Sequence, residues 1–523
     1  MISQTKVKEA RDPGKTRIRK FVFWMPLLVF GALVFASLIA PQSFLRVATA
    51  MNDWILAKLS NVFAIGSFIF VLTCIWAAIS PLGKIKIGGA EATPLLSRWS
   101  WIAITLTTTV AIGILFWATA EPIYHLYNPA GLPYAATSEE AANFAMASLY
   151  MHWSFTPYAI YTIPGLTFAL CYYNLKKPFS LSSPISVLIG RPVPAIGAQV
   201  LDGLALLTLA FGLSASLGAG ILSISGGIDR LSPLSAGPVL TGAVALFIVT
   251  AFFISSVSGL HRGIRLLSDI NTKIFLGLML FVLVAGPTWK ILSLGGAAFL
   301  DYLTSFIPRS LTLSPYDNRE WLNSWTVFYF ANWMAWAPLA ALFLGKIARG
   351  YTVRAYIVVN LIIPALFSIF WMIIFGGLAV TTELGEPQVL NQILEAKGPE
   401  HVLYAVLDSL PFASILALII IVISCLSYIT AADSNLDVIS NLTLKQNTDE
   451  DSDAPLSRKI SLGFKLIWAL AVGFAAWIMT TLSGINGVKM LSNLGGLPAL
   501  FIILTFNVVL ILLGTIKLKS LKG

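Results

Sequence analysis

Trp325-Thr326-Val327-Phe328-Tyr329-Phe330-Ala331-Asn332-Trp333-Met334-Ala335-Trp336-Ala337-Pro338, running on to Lys346, Arg349 and Arg354, is the stretch that decides the fold. It is an apolar run of membrane length that stops on a basic loop, as a spanning helix does on the positively charged side of a bilayer. Tyr329, Trp333 and Trp336 recur at i, i+4 and i+7, so they share one helical stripe. A belt of interfacial aromatics would place the rings at the two ends of the span. Trp333 and Trp336 fall near its middle, so the stripe is expected to face a ligand. Facing π-surfaces suit a quaternary ammonium, which has charge but no proton to donate.

The rest of the chain reads the same way. Its 523 residues are 57% hydrophobic and 11% charged, with a mean hydropathy of +0.82. That excludes a soluble globular protein. Twelve spans are predicted, near 21–42, 56–80, 98–120, 143–173, 197–226, 237–257, 267–290, 322–345, 355–378, 408–433, 460–481 and 497–517. They divide the chain into a cytoplasmic segment 1–20, one transport domain 21–517 and a short cytoplasmic tail 518–523. Trp289 to Phe306, broken by Gly295, Gly296 and Asp301, is read as a helix lying along the membrane surface.

The net charge of +10 is not a nucleic-acid signal, because the basic residues are sorted by loop. They collect before span one and after spans two, four, six, eight, ten and twelve, as with Lys84, Lys176, Arg262, Arg349 and Arg458. The opposite loops carry Glu121, Glu139, Glu140, Glu383, Glu386 and Glu400. This places both termini in the cytoplasm. Cys74, Cys171 and Cys425 fall inside apolar spans and read as small core residues. His125, His152, His261 and His401 show no ligand spacing, so neither a metal nor a cofactor is expected. No nucleophile–base pair is evident at membrane depth, since the acids Asp202, Asp408 and Asp433 have no histidine beside them in sequence. No repeated filter segment suggests a channel. Small residues at Thr107 to Gly113, Phe211 to Gly218 and Thr430 to Ser434 fit close helix packing or opened helices of the kind that build transporter sites. Asp433 is read as capping the end of span ten. The acidic run Asn447 to Asp453 is expected to be a solvated turn.

Several long motifs, in order, resemble the betaine–choline–carnitine transporters over essentially all twelve spans. They are the span-eight helix, Leu115 to Tyr124 (Leu-Phe-Trp-Ala-Thr-Ala-Glu-Pro-Ile-Tyr), His152 to Tyr161 (His-Trp-Ser-Phe-Thr-Pro-Tyr-Ala-Ile-Tyr), Gly259 to Arg265, and Ala432-Asp433-Ser434. The resemblance implies an all-α integral membrane protein of the leucine-transporter-like fold. Spans three to seven and eight to twelve would form two inverted five-helix repeats, with two N-terminal helices added. It implies a homotrimer in the bacterial inner membrane, and secondary active transport of choline, carnitine or glycine betaine by alternating access. An aromatic box would use Trp153, Tyr158 and Tyr161 from span four and Trp333 from span eight. Trp336 would be a second aromatic station, and Phe328 and Phe343 ring-shaped gates.

The chain also departs from the family pattern. Asn332 replaces a tryptophan and offers an amide that can donate to a carboxylate or sulfonate; packing against a neighbouring helix is the alternative. Leu209 and Leu213 stand where sodium-driven members carry hydroxyls, and Ala431 follows Thr430 where serine is common. Lys273, inside span seven, occupies the helix on which sodium-independent relatives place a surrogate charge; snorkelling to the cytoplasmic edge is the alternative. Sodium-independent transport, as proton symport or exchange through Lys273 and Thr430, is therefore expected. The alternatives are a sodium-coupled betaine symporter or a carrier of a non-quaternary solute such as taurine. The short tail points to nutrient uptake rather than osmotic sensing.

Overall fold

The computed structural model describes residues 17–109, 113–258, 261–445 and 455–521. Among the described residues the regular structure is helical apart from a two-residue antiparallel ladder pairing Arg17 with Lys445 and Ile18 with Leu444, and an isolated bridge between Lys86 and Thr352. In order the helices are α1 (Lys20–Ile39), α2 (Pro41–Ile79), α3 (Arg98–Thr109), α4 (Gly113–Tyr127), α5 (Glu139–Trp153), α6 (Phe155–Ala169), α7 (Ser182–Leu188), α8 (Ala195–Leu231), α9 (Pro238–Ser258) and α10 (His261–Ala285). There follow α11 (Thr288–Ser310), α12 (Arg319–Leu322), α13 (Phe328–Lys346), α14 (Val353–Ile357), α15 (Ile363–Gly385), α16 (Val389–Lys397), α17 (Val402–Leu407), α18 (Ala413–Thr443) and α19 (Pro455–Thr515). Among the described residues, nine helical stretches are long and apolar enough to cross a membrane.

The bundle is dressed for lipid. Large side chains such as Phe35, Val239, Leu246, Leu280 and Phe370 are exposed on its outside. A soluble protein could not carry that much bare apolar surface, whereas in hydrocarbon it meets its own kind. The interior holds α8, α13 and the second half of α19, packed on α4, α5 and α6. The chain is a multi-pass membrane protein.

Two loop clusters cap the bundle. At one end Ile87 and Gly350 exchange backbone hydrogen bonds with Tyr351 and Ile87, each 2.9 Å. Asn174 donates there to the carbonyls of Lys86 and Leu521, and Lys517 Nζ reaches the Val187 carbonyl. Arg19 ties the N-terminal segment to Asp202 at 2.6 Å and to the Leu442 carbonyl at 3.0 Å. At the other end Arg230 grips Asp408 with two hydrogen bonds, and Tyr127 donates to Glu383 at 2.6 Å.

Several expectations shift. α2 begins at Pro41, well before the predicted position 56. α18 continues to Thr443, so Asp433 lies within the helix and does not cap it. Residues 455–515 form one long rod broken where Gly484 adopts φ 52° and ψ −134°, a left-handed turn that glycine tolerates. The rod resumes at once, so a segment read as loop, 485–496, is helical. α11 buries one stripe of Ile291, Gly295, Ala298, Tyr302, Ser305 and Arg309 against α5 and α15, while Leu292, Leu300 and Leu303 face outward. Residues 110–112 and the acidic run 447–453 lie outside the described residues.

Candidate functional site

The site grows from a discontinuity. α5 and α6 meet at Ser154, whose φ −121° and ψ −119° are not helical. Pro157, in the first turn of α6, needs no donor there, which suits a restart. The Ser154 hydroxyl lies 2.6 Å from the Tyr150 carbonyl and 3.1 Å from the Tyr302 hydroxyl. Trp153 is thus delivered at the end of one helix and Tyr158 and Tyr161 on the first turns of the next. Across from them, a π-helical turn over Asn323–Val327 feeds into α13. Such a turn adds a residue to the helix and is frequent at functional sites. It sets the register that points Trp333 inward.

Trp333 is the hub. Its ring meets Trp153 at 5.8 Å, Tyr158 at 5.4 Å and Tyr161 at 5.3 Å between centroids, with interplanar angles of 77°, 60° and 66°. Edge-on contacts of this kind place the electron-poor rim of one ring on the face of another. Trp333 Nε1 donates to the His152 carbonyl at 3.2 Å, which fixes the indole. Trp153, Tyr161, Phe328, Asn332, Trp333 and Trp336 line one cavity, together with Gly113, Trp117, Ala215, Ser216, Ala219 and Val488. Its free space is about 30 Å³, room for a water molecule or two, so a solute enters only as the rings part. Gly212 lies against Trp336: a Cβ there would come within 3.0 Å of the indole.

Not every expected residue lines this space. Tyr158 packs behind Trp333, with its hydroxyl 2.8 Å from that of Ser368, so it braces the box from outside. Phe343 is half-buried about four turns beyond Phe328 on α13 and is not among the residues lining the cavity. Asn332 reaches the cavity edge and accepts from the Ser492 hydroxyl at 3.0 Å through Oδ1. The contact fastens Asn332 to α19, as expected of packing against a neighbouring helix, while the side chain stays at the cavity edge. Lys273 is exposed on α10, which packs chiefly on α18 and α15. Thr430 is buried, and its hydroxyl donates to the carbonyls of Leu426 and Ser427 at 2.9 and 3.0 Å. Neither lines the cavity.

A polar cluster behind the box escaped the sequence reading. Glu121 is wholly buried and accepts from every side: His152 Nδ1 at 2.5 Å and His125 Nε2 at 3.3 Å on Oε1, and Trp153 Nε1 at 2.9 Å on Oε2. His152 Nε2 lies 2.9 Å from the Thr326 hydroxyl, and its ring stacks on Tyr329. The side chains of Glu121, His125 and His152 offer atoms within 4.8 Å of one another, the spread of a metal site. Trp321 Nε1, however, donates to His125 Nδ1 at 3.3 Å. Nδ1 is therefore an acceptor, and Nε2 carries the proton it gives to Glu121. A cation would have to take the lone pair that this tautomer lacks. The cluster reads as a hydrogen-bonded clamp on Trp153 rather than a metal centre. The i, i+4 spacing of Glu121 and His125 was the signal available in the sequence.

A second cation stands near the rings. Lys489, on α19 just past Gly484, holds Nζ 3.9 Å from the Trp325 ring centroid, 5.3 Å from Phe328 and 5.8 Å from Trp117.

Comparison with known proteins gives the family. The betaine/carnitine/choline family profile matches residues 21–515. A glycine betaine transporter of Vibrio parahaemolyticus is 31% identical, over 95% of this chain and 95% of its own length. An osmo-dependent choline transporter of Acinetobacter baylyi is 29% identical over 95% of this chain and 71% of its own. An ectoine/hydroxyectoine transporter of Virgibacillus pantothenticus is 28% identical over 94% and 95%. With a match across nearly the whole chain, and a ring-lined cavity where the family motifs fall, the protein belongs to the betaine/carnitine/choline family of transporters.

Proposed function

We propose that this chain carries a quaternary-ammonium or related zwitterionic solute across the bacterial inner membrane by alternating access, without sodium, as a proton symporter or an exchanger. The observation that carries the reading is the convergence of Trp153, Tyr161 and Trp333 on one buried cavity. Each ring over a desolvated cation contributes roughly 0.5–2 kcal/mol. Trp336 extends the ring-lined path, and Phe328 closes it as a gate. Tyr158 holds Trp333 in place.

Twelve passes account for the helices: α1, α2, α3 with α4, α5 with α6, α8, α9, α10, α12 with α13, α14 with α15, α18 and the two halves of α19. Under this count the loops predicted to be cytoplasmic are those that bond together at one end. Arg230, Asp408, Tyr127 and Glu383 meet at the other. That supports cytoplasmic termini and a single transport domain spanning 21–517. The third to seventh and eighth to twelfth passes then form two inverted repeats. α11, docked on α5 and α15 with an apolar outer face, suits contact with lipid or a neighbouring copy in a homotrimer.

Sodium independence is supported by Leu209 and Leu213, which are buried and apolar where sodium-driven members place hydroxyls. Lys273 and Thr430 mark the coupling junction: Asn271, two residues before Lys273, donates to Ser427, one turn before Thr430, at 2.8 Å. The test is uptake of labelled glycine betaine and choline by the purified chain in liposomes. Saturable uptake of either without a sodium gradient is expected. Strict dependence on sodium would refute the coupling, and no uptake of any onium solute would refute the function.

A further inference from the structure

The cavity has two unlike walls. At one, Trp153, Tyr161 and Trp333 present ring faces, and Trp153 gives its N–H to the buried Glu121 carboxylate at 2.9 Å. A donor bonded to an anion is polarised, which makes the indole face richer in electrons and a better seat for a cation. Behind the other wall, formed by Trp117 and Phe328, and toward the Trp325 end, lies Lys489, which does not itself line the space and stands within electrostatic reach of the same Glu121. Its ammonium stands over Trp325 and close to Phe328 and Trp117, the last two of which line the cavity. Val488, its chain neighbour, lines the cavity too. One of its three N–H donors goes to the Ser324 carbonyl at 3.0 Å. Asn332, one turn along α13 from Phe328, holds its oxygen toward Ser492 and so keeps its amide donors for the same end.

We infer that Lys489, assisted by Asn332, receives the carboxylate of a zwitterionic solute and makes this carrier select betaines over choline. The assignment rests on the transport reading above and names the solute within it. A dipolar solute laid along the cavity puts its ammonium among Trp153, Tyr161 and Trp333 and its negative end on Lys489. Choline presents a cation and a hydroxyl, and so brings a like charge to the lysine with no negative end of its own to offset it; the Glu121 carboxylate, which acts on the lysine already, is common to both solutes. A tethered ammonium beside an aromatic-lined path also competes with a free cation for the same faces. Like charges about one ring apart in a partly desolvated site disfavour the wrong solute by roughly 10- to 100-fold.

The experiment is titration of the purified full-length chain in detergent with glycine betaine and with choline, followed by intrinsic tryptophan fluorescence. The wild type is compared with Lys489→Met and Lys489→Arg, each checked by thermal melting. The wild type is expected to bind glycine betaine at least ~10-fold more tightly than choline. Lys489→Met should bring the ratio close to one, with choline binding more tightly than in the wild type. Lys489→Arg should keep the preference. A purely structural lysine would weaken both solutes alike when removed, and could not improve choline. Binding of both solutes with an equal wild-type affinity, or with a ratio that Lys489→Met leaves unchanged, overturns this assignment alone. Binding of neither solute to the wild type overturns the transport reading along with it.

Discussion

The ring-lined cavity and the α10–α18 junction are both sites that the sequence marks for function, and they are built in opposite ways. At the cavity two of the four lining indoles are tied by their N–H: Trp333 to the His152 carbonyl and Trp153 to Glu121. The residues that hold them are themselves buried and bonded. At the junction, Thr430 turns its hydroxyl onto its own helix, and Lys273 stands exposed. The first site is pre-organised for one geometry; the second joins two helices through the Asn271–Ser427 bond and lies where they can move against each other. A carrier needs both, since recognition rewards rigidity and alternating access needs an element with two arrangements.

The largest effect is expected from removing the hub. Trp333→Leu takes away one face of the box and the surface on which Trp153, Tyr158 and Tyr161 all lean. Loss of one desolvated cation–π contact alone weakens binding by about 30-fold, or ~2 kcal/mol. Titration with glycine betaine should show at least that loss, with the melting temperature changed far less than the affinity. An affinity within threefold of the wild type would mean that the rings are core packing and not a recognition site.

Next comes the clamp behind the rings. Glu121→Gln replaces two acceptor oxygens by one oxygen and a donor, yet three donors still converge on them. At least one buried N–H is left facing another, which costs about 1–3 kcal/mol. The melting temperature should fall, and solute affinity should drop about tenfold as Trp153 loosens. Unchanged stability with unchanged binding would show that the cluster is slack and the pre-organisation argument wrong.

How much of this was legible beforehand follows the same contrast. The stripe Tyr329, Trp333, Trp336 is a local periodicity, so it can be read from one helix, and it does face the cavity or the rings around it. Trp153 and Tyr161 were placed by their motif and also converge there. Tyr158 meets the Trp333 ring without lining the cavity, because a helix face broad enough to hold it includes positions behind Trp333 as well as beside it. The His152–Glu121 contact joins residues 31 apart across two helices, and no pattern within either helix encodes it. Lys489 was missed for a different reason: Gly484 reads as a loop, so the helical segment 485–496 looked like a connection between spans. For Lys273, position along the chain was right about the helix but silent about the face, which depends on what packs against α10.

The smallest effect on binding, and the sharpest on coupling, is expected at that exposed lysine. Lys273 does not line the cavity, so Lys273→Ala should leave the affinity for glycine betaine within about twofold, the scatter of a surface change. The part in coupling proposed for Lys273 rests on where it stands. Asn271 is buried and bonded to Ser427, and Lys273 and Thr430 flank that bond on either helix. Movement of α10 against α18 therefore shifts the ammonium relative to the Thr430 turn, and a charge that moves between two settings couples a gradient to a conformational change. Uptake into liposomes by Lys273→Ala should accordingly lose its response to an imposed proton gradient while counterflow exchange continues. If the mutant retains the full gradient response, Lys273 only snorkels, and the coupling group belongs to the buried side of the molecule.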